Sequence, residues 1–183
     1  SASYAAKMSK LKFSRITVIA NVINGATWVN LTTGAFCWYN NNAAFQASYG
    51  ALYNWYAISP ETNGGKNPCP DGWKVPSDEE WTSMTNFVGG FPATGGRLKE
   101  TGFIHWNSPN TGATNEVAFS ARPGGSRIWN GNFDNMNTHA YFWTSSEQQG
   151  NFAWLRNMFH NAHNLGRGSI NKYHGLSIRC IKE

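Results

Sequence analysis

Three of the chain's five histidines, His160, His163 and His174, fall in one segment near its end. Imidazoles can ligate a divalent metal, but no Cys or carboxylate accompanies them, and the alternative is a solvated Asn/His/Gly-rich loop. The three cysteines, Cys37, Cys69 and Cys180, contain no CxxC pair, which sets aside a structural zinc site. A single bridge would leave one thiol free, and three buried reduced thiols is the alternative reading. The 10 acidic residues are spread thinly, and Glu79 and Glu80 are accounted for by a helix start. No Ser-His-Asp grouping emerges either, so the chemistry on offer is contact rather than catalysis, and no cofactor is implied. Arg127 and Trp129, in the loop Gly124-Gly125-Ser126-Arg127-Ile128-Trp129-Asn130-Gly131, supply a guanidinium and an indole that suit a binding surface, with a core anchor as the alternative for Trp129.

The elements that must position these groups lie in a chain of 183 residues, about one domain. Aromatics make up 15 % and charged residues only 14 %, against a usual charged share of about 25 %. Asn and Gly are abundant, at 22 and 19 residues. This excludes disorder, which is poor in aromatics and rich in charge, and a coiled coil. The apolar stretches are far short of the roughly 20 residues a membrane span needs, so no direct membrane insertion is expected. Net charge is +5, begun by Lys7, Lys10, Lys12 and Arg15 and continued by seven Lys/Arg from Arg122 onward. The excess favours an acidic glycan over nucleic acid, for which there is neither a basic run nor a motif. Ser1 to Ala6 does not read as a signal peptide; the chain would be a trimmed mature form, a fragment or the tip of a larger protein.

Ile16–Ala20 reads as a strand, and Ala35–Tyr39 as a short aromatic one. Leu52, Trp55 and Tyr56 share a face at i, i+3, i+4 spacing, which predicts a helix over 48–57. Ser77 with Glu80 three residues later forms a capping box for a second helix, whose stripe is Trp81, Met84 and Val88 and whose end is Gly89-Gly90. Residues 91–150 show no helical period and read as loops with short strands, anchored by Trp106, Phe119, Trp129 and Phe133. Strands follow at Tyr141–Ser146, Phe152–Met158 and Leu176–Cys180, with neither period between Phe159 and His174.

Four strings carry a resemblance. They are Tyr49-Gly50-Ala51-Leu52-Tyr53-Asn54-Trp55-Tyr56; Cys69-Pro70-Asp71-Gly72-Trp73-Lys74-Val75-Pro76-Ser77-Asp78-Glu79-Glu80-Trp81; Leu98-Lys99-Glu100-Thr101-Gly102 followed by the run from His105 to Glu116; and Trp143-Thr144-Ser145-Ser146-Glu147 with Gly175-Leu176-Ser177-Ile178-Arg179-Cys180. In this order the chain resembles the Fibrobacter succinogenes major paralogous domain family over about residues 10–183, with 1–9 as a lead-in or linker to a single domain 1–183. The resemblance implies an α+β, C-type-lectin-like fold with two short helices, small antiparallel sheets and long irregular loops, related to the formylglycine-generating enzymes. That fold brings the terminal strand near the first half of the chain, which implies a Cys69–Cys180 bridge.

The resemblance also frames activity. Formylglycine-generating enzymes use a pair of reactive cysteines near the domain end, whereas Cys180 stands alone in the strand motif, so an enzyme is not expected. Calcium-dependent lectins of this fold supply carboxylates after Trp-Asn; Trp106-Asn107-Ser108 and Trp129-Asn130-Gly131 supply none, so no metal is expected. The third activity is binding by a varied surface, as in the variable proteins of diversity-generating retroelements, where Asn codons are rewritten to NNY. Leu155, Phe159, His160, His163, Gly166, Gly168, Ser169, Ile170, Tyr173 and His174 depart from the family's Asn-rich pattern, and all ten are NNY-encodable. They, with Arg127 and Trp129, form the expected ligand-binding set, while Trp154, Leu176 and Ile178 would anchor the frame together with Trp55, Trp73, Trp81 and Trp143. The implied partner is a host or bacterial surface protein or a glycan, met on a cell surface or a phage tail tip, where trimers are common. A non-diversified cell-surface lipoprotein or adhesin domain with purely structural loops is the first alternative, and an inactive or unrecognised relative of the formylglycine-generating enzymes is the second.

Overall fold

The computed structural model describes residues 19–183. The basic start, the proposed lead-in 1–9 and most of the expected strand Ile16–Ala20 lie outside the described residues. Strand β1 (Ala20–Asn21) runs parallel to β2 (Ala35–Cys37), and β2 is antiparallel to β3 (Leu52–Tyr53). Helix α1 (Gly25–Val29) lies between β1 and β2, with the Asn24 side chain capping Thr27 N–H.

The predicted helix over 48–57 is a correction. Helix α2 (Gln46–Tyr49) stops at Gly50, whose φ of 72° is open to glycine at little cost. Leu52 and Tyr53 then pair with Cys37 and Phe36, and Trp55–Ala57 forms a separate 3-10 turn. Sheet pairing wins over helical spacing because Leu52 and Trp55 each reach a buried cluster from the broken geometry.

Strand β4 (Trp73–Lys74) pairs with the terminal strand β10 (Ile181–Lys182). Beside them Cys69 and Cys180 form a disulfide across 111 residues of sequence. The remaining thiol, Cys37, is buried, and burial pushes it up to about 11. Helix α3 (Asp78–Phe87) carries the expected capping box: Ser77 Oγ accepts from Glu80 N–H, and the Glu80 carboxylate accepts from Ser77 N–H.

The region expected to lack helices contains α4 (Thr94–Leu98). Its two glycines allow backbone contact: a Cβ on Gly95 would sit 2.1 Å from the Asn164 carbonyl oxygen, and one on Gly96 2.3 Å from that of Gly112. Strands β5 (Gly124–Arg127) and β6 (Phe133–Met136) make a hairpin. The long antiparallel sheet is β7 (His139–Gln149), β8 (Phe152–Phe159) and β9 (Gly166–Asn171). The segment expected as strand Leu176–Cys180 makes single bridges, Leu176 to Tyr53 and Ser177 to Phe142, before β10.

Among the described residues four α-helices rather than two thus join small, mostly antiparallel sheets in an α+β architecture. Three aromatic clusters hold it: one around Trp81, Trp106 and Phe142, one around Trp55, Trp143 and Leu176, and one around Trp28, Tyr39 and Leu52. Of the expected tryptophan frame, Trp55, Trp81 and Trp143 are buried, but Trp73 is exposed and Trp154 is half-buried beneath Arg167. Among the described residues no helix is long and apolar enough to cross a membrane.

Candidate binding face

Strand alternation sorts the β7–β9 sheet into two faces. Ala140, Phe142, Arg156 and Met158 point toward α3 and are buried. Arg156 Nη2 donates to the Asp78 carboxylate at 2.7 Å and to the Asp78 carbonyl at 2.8 Å. Arg167 reaches the same carboxylate at 2.8 Å while its guanidinium lies 3.5 Å from the centre of the Trp154 ring.

The other face starts with the registered pairs His139–Phe159, Tyr141–Asn157 and Trp143–Leu155 between β7 and β8. It continues with Asn157–Gly166, Leu155–Gly168 and Ala153–Ile170 between β8 and β9. Trp143 and Leu155 are covered by Trp55 and Leu176, but His139, Tyr141, Asn157, Phe159, Gly166, Gly168 and Ile170 are only half-buried. His139 stacks on Tyr141 at 5.6 Å and meets Phe159 edge-on at 4.4 Å. Burial pushes the His139 imidazole below its usual value, helped by nearby His160, and pushes the Tyr141 phenol up. At neutral pH these two are therefore uncharged, and the face is aromatic and hydrogen-bonding rather than ionic.

The expected set divides on this geometry. Phe159, Gly168 and Ile170 share the face, and Gly168 leaves open space above it, since an added Cβ would meet only Leu155 Cδ1, at 3.9 Å. Gly166 shares the face but lies beneath the Asn157 side chain. Ser169, opposite Trp154, points the other way beside Arg167. His160 and His163 occupy the turn between β8 and β9, where His160 Nδ1 lies 2.8 Å from the Ser108 carbonyl oxygen and the His163 carbonyl accepts from Gly96 N–H. Tyr173 lies in the turn after β9, its carbonyl accepting from Trp28 Nε1 at 2.7 Å.

Three residues of the set are corrections. Leu155 is 4 % exposed because its strand position faces Trp143 and Leu176, so it is core. Arg127 is 1 % exposed: it donates to the carbonyls of Val22, Ile23 and Gly131 and stacks on Trp28 and Phe133, which makes it an internal clamp. His174 is buried under the ring of Tyr173, and burial lowers its pKa. Trp129 is 65 % exposed, which decides against a core anchor. It lies two residues past the Arg127–Gly175 bridge, as Tyr173 does on the opposite side. Among the described residues no three His, Cys, Asp or Glu gather closely enough to hold a metal ion.

Sequence reasoning missed His139, Tyr141 and Lys99. Lys99 is fully buried, and its Nζ donates to the carbonyls of Thr111, Phe159 and Ala162 at 2.9, 3.0 and 2.8 Å. Burial pushes it down to about 8, so at neutral pH the ammonium keeps all three donors and ties down the β8–β9 turn. Its only signal was a lysine within a family string, with nothing to show that it turns inward.

With the frame and face in place, comparison with known proteins gives one match, to the model of the Fibrobacter succinogenes major domain, over residues 6–182. The chain belongs to the Fibrobacter succinogenes major domain family. The match covers all four strings that carried the resemblance. No curated protein and no solved structure matches the chain. In this family member Lys99 and the 77–81 capping box lie within the matched region, and both bear on the sheet, the first through the β8–β9 turn and the second through α3.

Proposed function

We propose that this Fibrobacter succinogenes major domain is a non-catalytic, C-type-lectin-like binding module that holds a surface protein or glycan on the open face of the β7–β9 sheet. One observation carries the reading. Phe159, Gly168 and Ile170, which depart from an Asn-rich pattern, share a single half-exposed face with retained Asn157, although they come from two strands separated by a turn. A face of Tyr, Phe, His and Asn offers rigid contact area at low entropy cost, as in antibody loops. The disulfide favours display in an oxidising compartment, at a cell surface or on a virion.

Variation by a retroelement is the finer form of the proposal. It is tested at the DNA level: AAY codons at Asn157, Asn161, Asn164 and Asn171, with a near-identical template repeat beside a reverse transcriptase, are expected. Their absence returns the domain to a fixed adhesin, a reading favoured by the burial of Leu155 and His174. Binding itself is tested by probing glycan arrays and immobilised bacterial surface proteins with the wild type and a Phe159→Ala/Tyr173→Ala variant. A folded variant that binds as the wild type does rules out the face.

A further inference from the structure

A cavity of about 420 Å³ opens between α2, Ser120, Arg122 and the terminal segment 177–179. Phe142 is part of its wall, and Phe142 points away from Tyr141, so the cavity lies on the opposite side of the sheet from the proposed binding face.

The charge of this cavity is one-sided. Arg122 donates through Nε to Glu100 and through Nη1 to the Ser48 carbonyl, each at 2.9 Å. Glu100 is shared with His105 Nδ1 at 2.6 Å. Arg179 stacks between Phe119 and Phe142 and uses Nη2 on the carbonyls of Phe119 and Ser120. Among the described residues no carboxylate pairs with Arg179. Both guanidinium-bearing residues line the one cavity, and burial, with the positive charge of Arg122, pushes the Arg179 guanidinium down.

The hydrogen-bonding capacity left over is also one-sided. Nε and Nη1 of Arg179 and Nη2 of Arg122 have no partner among the described residues. Ser120 Oγ accepts from Asn115 Nδ2, which leaves its own hydrogen to donate, and Ser177 contributes a second hydroxyl to the wall. Of the two guanidinium groups only Arg122 meets a carboxylate, so Arg179 calls for a further anion. Free donors on planar guanidinium groups suit a carboxylate oxygen pair.

We infer that this cavity binds the carboxylate of a small organic acid, with room for an acidic sugar. Its volume lies toward the lower end of the roughly 300–1,000 Å³ of small-molecule sites. A carboxylate carries the single negative charge that balances Arg179, whereas sulfate or phosphate brings more.

The test is thermal melting and calorimetry of the whole chain with sodium glucuronate, acetate, glucose and sulfate at constant ionic strength. Glucuronate and acetate should raise Tm saturably, and glucose should not. Arg122→Gln should weaken glucuronate binding by about tenfold, the loss of one charge-assisted hydrogen bond. Ser177→Ala, which keeps both guanidinium groups, should weaken it less and decides the matter if Arg122→Gln does not fold. Phe159→Ala, on the other face, should leave it unchanged. No saturable response, an unchanged response in both pocket variants, tighter binding of sulfate, or loss in Phe159→Ala would each overturn the assignment.

Discussion

The two faces of the β7–β9 sheet are made from the same three strands and have opposite chemistry. On the closed face, Phe142 and Met158 pack against Trp81, and Arg156 is pinned to Asp78. On the open face, His139, Tyr141 and Phe159 pack ring against ring and stay half-exposed, and Gly168 leaves space above it. The closed face specifies the fold, while the other face is anchored at its middle by Trp143, Ala153 and Leu155 and is free to change only at its half-exposed positions. The proposed function needs that separation.

The comparison can be broken from the closed side with the largest effect. Phe142→Ala removes a buried ring between Trp81, Phe119 and Arg179 and should cost about 3–5 kcal/mol in denaturant unfolding. Lys99→Met leaves three carbonyls without their donor and should cost about 2–4 kcal/mol. Its distinguishing sign is faster amide exchange over residues 159–165, ahead of the rest of the sheet.

Acidification probes the boundary between the faces. The folded pKa values of His139 and His174 are both lowered by burial, so below the ordinary histidine value the unfolded chain binds more protons than the folded one. Their stabilising contribution is full above about 6.5 and is lost as pH falls through the folded values. Tm should fall on going from pH 7.5 to 5, and His139→Gln/His174→Gln should flatten that slope. The smallest effect belongs to the open face. A Cβ added at Gly168 meets only Leu155 Cδ1, at ordinary contact distance, so Gly168→Ser should change stability by no more than about 0.5 kcal/mol.

What could be read from the sequence follows the same division. The start of α3 was legible because Ser77, Glu80 and Trp81 carry local signals of capping and burial. The Cys69–Cys180 bridge was reached only through the family resemblance, since three cysteines alone leave the pairing open. Strand β9 was missed because Gly166 and Gly168 occupy its alternating positions and erase the apolar period that marks a strand. Helix α4 was hidden by the glycines that let it approach the turn at Asn164. Arg127 and Lys99 were misjudged or overlooked for one reason: a buried cation satisfied by backbone carbonyls has no partner visible in sequence.

Binding is assigned to the open face. It is tested most directly by comparing two folded variants on the same glycan arrays and immobilised surface proteins that register the wild type. Phe159→Ala/Ile170→Ala alters the open face, and Ser169→Ala/Trp154→Ala alters the outward side of the same hairpin. The first pair should lose at least about 2 kcal/mol of binding, the threshold of an interface hot spot, and the second should retain it. Retention in the first with loss in the second would place the ligand on the other side of the sheet and overturn the assignment.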